Sequence, residues 1–135
     1  MAQLNKLGNV PRNLLTVKNT SGADIAAGLA VIPDTTNTPG GSGTPMGVTL
    51  PASDVGAFAI AIETLTNTRL GRVAVVGSVA IGTASGTIHV GNYVMTDSAG
   101  KVLVQTAGKY QIGIALSEAV SGDSVSVLIA PAKNA

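Results

Sequence analysis

The stretch that decides how this chain folds is residues 109–130, KYQIGIALSEAVSGDSVSVLIA. Ile112, Ile114 and Leu116 recur at every second position, as do Val125, Val127 and Ile129, with a polar Ser-Gly-Asp between the runs. A period of two sends alternate side chains to opposite faces of a pleated strand, and turn residues between two such runs reverse the chain. The segment therefore reads as a pair of antiparallel strands whose register is set by the turn SEAVSGD.

The same period extends outward from this pair. LLTVKN (14–19) alternates Leu15 and Val17 with Thr16 and Lys18, and IAAGLAVIP (25–33) turns at Gly28 and ends a short buried strand at Pro33. AFAIAIE (57–63) sets Phe58, Ile60 and Ile62 on one face and Ala57, Ala59 and Ala61 on the other. Alanines permit close approach, which makes those three the candidate subunit-packing residues. RVAVVG (72–77), SVAI (78–81) and TIHVG (87–91) follow, and then NYVMT and KVLVQ, joined by DSAG (97–100), an Asp-initiated hairpin turn. No window of about a dozen residues keeps a Gly-free apolar stripe of helical period. The expected fold is all-β, a compact small barrel or sandwich of about eight to ten short strands.

Organisation follows from the same reading. Residues 14–130 form one β-domain, 131–135 a short tail, and the Gly-, Pro- and Thr-rich run 34–47 an exposed loop. Residues 1–13 contain Lys6, Arg12 and Pro11 but no acidic residue, and lack the apolar core of a signal peptide. They read as an extended basic N-terminal arm, with Lys18 just inside the first strand. IAIETLTNTRLGRVAVV (60–76) and IALSEAVSGDSVSVLI (114–129) share the order strand, acidic residue, polar turn, strand. Their lengths and residues differ too much for them to be a repeat.

Composition removes several classes of function. The 135 residues include no Cys and no Trp, two Tyr, one Phe and one His. Disulfides, thiolate metal sites and a cysteine nucleophile are excluded together. A net charge of +1 argues against a general nucleic-acid surface. The uncharged run 73–96 is broken by Gly, Ser and Thr and patterned with period two, unlike a membrane-spanning helix. Without a histidine or cysteine beside it, His89 forms no recognisable zinc site, and no Gly-x-Ser-x-Gly elbow is present. PGGSGTPMG (39–47) lacks the Lys and Ser/Thr ending of a phosphate loop. Asp24, Asp34, Asp54, Glu63, Asp97, Glu118 and Asp123 fall mostly in or beside turns, where carboxylates satisfy backbone donors. Asn19 heads an Asn-Thr-Ser sequon that reads as accidental in the absence of a secretion signal. No catalytic residue, metal or cofactor is expected.

Three segments in order, VKNTSGADIAAGLAVI (17–32), HVGNYVMTDSAGKVLV (89–104) and IGIALSEAVSGDSVSVLI (112–129), carry a resemblance. They are similar to the head decoration, or capsid cement, proteins of tailed bacteriophages, from about residue 14 to 130. That pattern runs from a strand and Asn-Thr/Ser-Gly turn through an Asp-x-Ala-Gly-Lys hairpin to closing strands bearing Gly-Asp. Asn92 departs from it where Asp is commoner, and the 34–47 loop has no counterpart. The resemblance implies an all-β structural subunit, commonly trimeric, on the outer surface of an icosahedral shell. Its partners would be the major capsid protein and further copies of itself, with Lys6, Arg12 and Lys18 as capsid-contact candidates. A head-fibre or tail-associated attachment module is the alternative within the virion, and such a protein would be expected to carry a further fibrous region. A small carbohydrate- or ligand-binding β-domain, which would use clustered exposed aromatics, is the alternative from outside it.

Overall fold

The computed structural model describes residues 13–36, 45–51 and 56–133. Ten strands and no helix occur among them. β1 (Leu14–Asn19), β2 (Ala30–Pro33), β3 (Gly47–Thr49), β4 (Ala59–Ala61) and β5 (Leu70–Ala74) close a barrel in the order β1-β3-β2-β4-β5. β6 (Val79–Thr83), β7 (Tyr93–Thr96), β8 (Val102–Val104), β9 (Tyr110–Ala115) and β10 (Ser124–Lys133) form a second sheet in the order β6-β10-β9-β7-β8.

These are two copies of one five-stranded unit. In the first, β1 and β3 pair in parallel through Lys18↔Gly47 and Asn19↔Val48. In the second, the matching strands β6 and β8 meet only at the parallel bridge Ala84↔Val102, so this barrel is nearly open along one seam. The remaining registers coincide: Val17↔Gly71 matches Gly82↔Val125, and Ala30↔Ile60 matches Tyr93↔Ile114. Ile60↔Ala74 likewise matches Ile114↔Leu128, and the isolated bridge Ile25↔Leu65 matches Ile88↔Ala119. Single hydrogen bonds repeat as well. The Gly28 amide donates to the Ala61 carbonyl and the Gly91 amide to that of Ala115, both at 2.8 Å. The echo between 60–76 and 114–129 is thus part of a duplication, contrary to the reading from sequence. What is kept is main-chain pairing, which nearly any residue can supply.

One substitution and one lengthened loop show how the copies differ in sequence. Gly122 turns with φ +91°, and its counterpart Thr68 holds φ +65°, the left-handed region that a β-branched residue rarely enters. Thr68→Gly should therefore stabilise the fold by roughly 0.5–1 kcal/mol, net of Gly's greater freedom in the unfolded chain. An unchanged or lower denaturation midpoint would contradict this. Asp34 and Asp97 open the β2–β3 and β7–β8 connections alike. The Thr36 amide donates to Asp34 Oδ1, and the Ala99 and Lys101 amides donate to Asp97 Oδ1. Likewise the Asp34 amide closes on the Gly47 carbonyl and the Asp97 amide on that of Lys101. The 34–47 loop is thus an expanded form of a tight hairpin turn; its residues 37–44 lie outside those described.

Some boundaries differ from expectation. TIHVG is not a strand: Ile88 makes one bridge, and the Asn92 amide turns back to the His89 carbonyl. β10 runs through the expected tail to Lys133 after a bulge between Ile129 and Ala132. Asn13, the last residue of the expected arm, is pinned to the β5–β6 link. Its amide donates to Ser78 Oγ at 2.7 Å, and its carbonyl accepts from the Val75 amide.

Two cores result. One fills the first barrel with Val17, Ile25, Val31, Val48, Ala59, Ala61, Leu65 and Val73. The other combines the interior of the second unit, including Ile88, Val94, Val102 and Val127, with Ala30, Ile32, Ile60 and Ala74 from the first. Ile60 explains the merger, since its Cδ1 lies 3.7 Å from where a Cβ on Gly82 would sit, beside the loosely paired seam. The outward face of unit one thereby seals unit two.

Candidate functional site

The described carboxylates converge on no common centre. Asp24 accepts the Asn67 amide, Asp34 the Thr36 amide, Glu63 the Arg72 amide, Asp97 the Ala99 and Lys101 amides, Glu118 the Val90 amide and Asp123 the Val120 amide. Each is fixed to a loop or strand end by a backbone donor, as expected of turn residues. Asp54 lies outside the described residues. No group of three His, Asp or Glu side chains placed to hold a metal occurs among the described residues.

His89 Nδ1 lies 2.7 Å from Glu118 Oε1, while the Val90 amide donates to Glu118 Oε2 at 2.5 Å. Both side chains are exposed. The hydrogen bond with His89, followed by that from Val90, holds the Glu118 carboxyl below the ordinary glutamate range. Arg72 does the same to Glu63 through its guanidinium and amide. A depressed folded-state pKa stabilises above the unfolded value, and that gain is lost as pH falls through the folded one. The stability gap between wild type and Glu118→Gln should therefore be present at neutral pH and close in acid. A gap that widens on acidification would contradict this sign. The recess around His89 and Glu118 is lined by Thr87, Ile88, Ala119, Val120 and Asp123, with no serine. A serine–histidine–acid relay is not assembled there.

Two further hollows among the described residues are poor in chemistry. A cleft of about 290 Å³ between the two units is walled by Ala27, Gly28, Ala61, Ile62, Ala80 and Ile81, with Thr83 and Ser124 as its hydroxyls. It holds no titratable side chain. A shallower hollow of about 410 Å³ lies beside Phe58 and Tyr110, with Gln111 and Pro131. Tyr93 is on the outward face of β7 and does not join them, so the three aromatics form no single platform.

The sequence-derived contact residues separate. Lys6 and Arg12 lie outside the described residues, and Lys18 is half-buried beside the β1–β3 seam. Ala59 and Ala61 face the interior of the first barrel, and Ala57 joins the second core. At 4%, 0% and 1% exposure, the three alanines are used by the subunit's own packing and present no surface to a neighbour. Alternation identified a small-residue face but not what covers it. The apolar surface that sequence reasoning missed is the outward face of the second sheet. In register across it stand Val79, Leu128, Ile114 and Tyr93, with Leu116 and Met95 beside them. Tyr93 is 53% exposed and Leu116 45%. The signal was present, since Leu128 stands between Val127 and Ile129 on β10, but a period-two reading assigns only one face to the core.

Neither a protein-family model nor a curated protein matches this chain. A likeness to a solved structure does exist, the head fiber gp8.5 N base of bacteriophage phi29. It covers 87% of this chain and 95% of that one, with a TM-score of 0.67 and 15% sequence identity. The two share a fold.

Proposed function

We propose that this chain is a structural subunit of a tailed-phage head, bound to the outer surface of the capsid and cementing the mature shell. The observation that carries the reading is the fold shared with a head-fibre base over nearly the whole of both chains. The resemblance of the sequence to head decoration proteins supports the same reading. The chemistry agrees, because attachment by repeated contacts requires shape and apolar area and no nucleophile, metal or cofactor. In this reading the protein is not an enzyme, and its partners are the major capsid protein and further copies of itself, commonly as a trimer. Neither nucleic acid nor membrane is a partner. Lys6, Arg12 and Lys18 would meet acidic groups on the shell, steering the encounter more than setting its strength. Stabilisation would follow from mass action, since a ligand of the expanded lattice favours that lattice at every site it fills.

A second reading, the base of a head fibre, is favoured by the same structural likeness. Both are tested by mixing the purified protein with undecorated shells and imaging them by cryo-electron microscopy. Density at threefold or quasi-threefold positions, with a higher melting temperature of the decorated shells, is the expected result for a cement. Density without added shell stability would favour the fibre base, and no binding would overturn both. Deleting residues 1–12, which spares the Asn13 contacts, should leave the β-fold intact and lower shell occupancy. Full occupancy after that deletion would remove the arm from the mechanism.

A further inference from the structure

The duplication makes the outward faces of the two units comparable. On unit one, Ala30, Ile60 and Ala74 are 0% exposed, because unit two packs over them. Their counterparts on unit two, set by the shared registers, are Tyr93, Ile114 and Leu128, and Val79 extends the row onto β6. All four are apolar and none is buried, with Tyr93 53% exposed. The second unit therefore keeps an apolar outward face that is left open among the described residues.

The chain enters the fold at one end of that row. The Asn13 amide donates to Ser78 Oγ at 2.7 Å, and the Ser78 hydroxyl donates back to the Asn13 carbonyl at 3.0 Å. Ser78 directly precedes Val79, and its carbonyl accepts the amide of Ile129, the neighbour of Leu128. Twelve residues come before Asn13, and among them Leu4, Leu7 and Val10 recur at every third position. That spacing lines one side of a helical turn or of a polyproline segment alike. Lys6 and Arg12 fall off the stripe, so docking by it leaves both cations to solvent. From Val79 to Tyr93 is three strand spacings, about 14 Å. Twelve residues reach about 18 Å as a helix and about 40 Å when extended, so either form crosses the row. We infer that residues 1–12 dock on the outward face of the second sheet of their own chain, with Val10, Leu7 and Leu4 following the row from Leu128 to Tyr93. A tethered segment acts at an effective concentration on the order of millimolar, which a separate partner must exceed to displace it. The inference rests on the duplication and on the point of entry, and stands independently of the phage reading.

The test places a nitroxide on the full chain. No cysteine is present, so Asn5→Cys gives a single point of attachment. The methyl resonances of Val79, Ile114 and Leu128 should broaden relative to the reduced label, and the broadening should be lost when Leu4 and Leu7 are both replaced by Ser. Both positions precede the contacts of Asn13, and circular dichroism checks that the strands persist. A second readout uses Tyr93, which becomes the sole tyrosine in a Tyr110→Phe background with no Trp present. Its quenching by acrylamide should increase once Leu4 and Leu7 are Ser. Four results would overturn the inference. The first is no broadening on the sheet face, and the second is broadening confined to Val76 beside the point of entry. The third is Tyr93 quenching that the serine replacements leave unchanged. The fourth is equal broadening in a mixture where nitroxide and isotope sit on different molecules, which would assign the face to a second copy.

Discussion

Ile60→Ala should destabilise both units together, by about 2–5 kcal/mol, the range for truncating a fully buried aliphatic side chain that leaves a cavity. Ile60 has no exposed surface and belongs to β4 of the first barrel, yet it packs in the core of the second unit. Its removal opens a space where the β6–β8 seam has only one bridge of its own, so neighbouring strands have few bonds with which to close in. With a total stability of order 5–15 kcal/mol, the loss is a large share of what holds the domain together. Chemical denaturation followed by circular dichroism should show one transition displaced as a whole, with hydrogen exchange accelerated in both units. Faster exchange confined to the first barrel would refute the claim that Ile60 seals the second. Ile60→Val, which keeps the branch and loses one methyl, should cost about 0.5–1.5 kcal/mol.

Gly113→Ala should be more damaging than its size suggests, costing upward of about 4 kcal/mol. Gly113 lies in β9 opposite Ile129, and a Cβ there would fall deep inside van der Waals contact with the Leu128 carbonyl oxygen. The obstruction is backbone, not the end of a flexible side chain, so relief requires β9 and β10 to separate at the centre of the sheet. The matching position in unit one is Ala59, which carries a Cβ inside the closed barrel without exposure. The duplication therefore supplies a control. Ala59→Gly should remain folded with a modest loss, while Gly113→Ala should lose the native spectrum or much of its thermal midpoint. A Gly113→Ala protein melting with wild type would show that the two strands sit further apart than described.

The strand content was legible because its causes are local. Alternation in LLTVKN located β1 at the residues it occupies, and Asp97 followed by Gly100 located the β7–β8 turn. The bland reading of the acidic residues also came from local chemistry, and each described carboxylate accepts a backbone amide near its loop or strand end. Asn19 shows the limit. Its side chain has no exposed surface and donates to the Ala23 and Leu65 carbonyls at 2.7 Å, so the sequon it heads is taken up by the fold. The three-residue pattern alone gives no sign of the second of those partners, which lies 46 residues away along the chain.

Residues read in order were enough to establish an all-β chain, the places where it turns and its poverty in reactive groups. Each of these depends on the side-chain period or on turn chemistry within a few positions. The structure alone revealed that ten strands are five strands twice, that Ile60 is fully buried and that its counterpart Ile114 is half-exposed. Long-range main-chain pairing decides those matters, and it survives the exchange of Gly122 for Thr68 at matching turns. Burial depends in turn on which strand crosses which face, a property of neighbours distant in the chain.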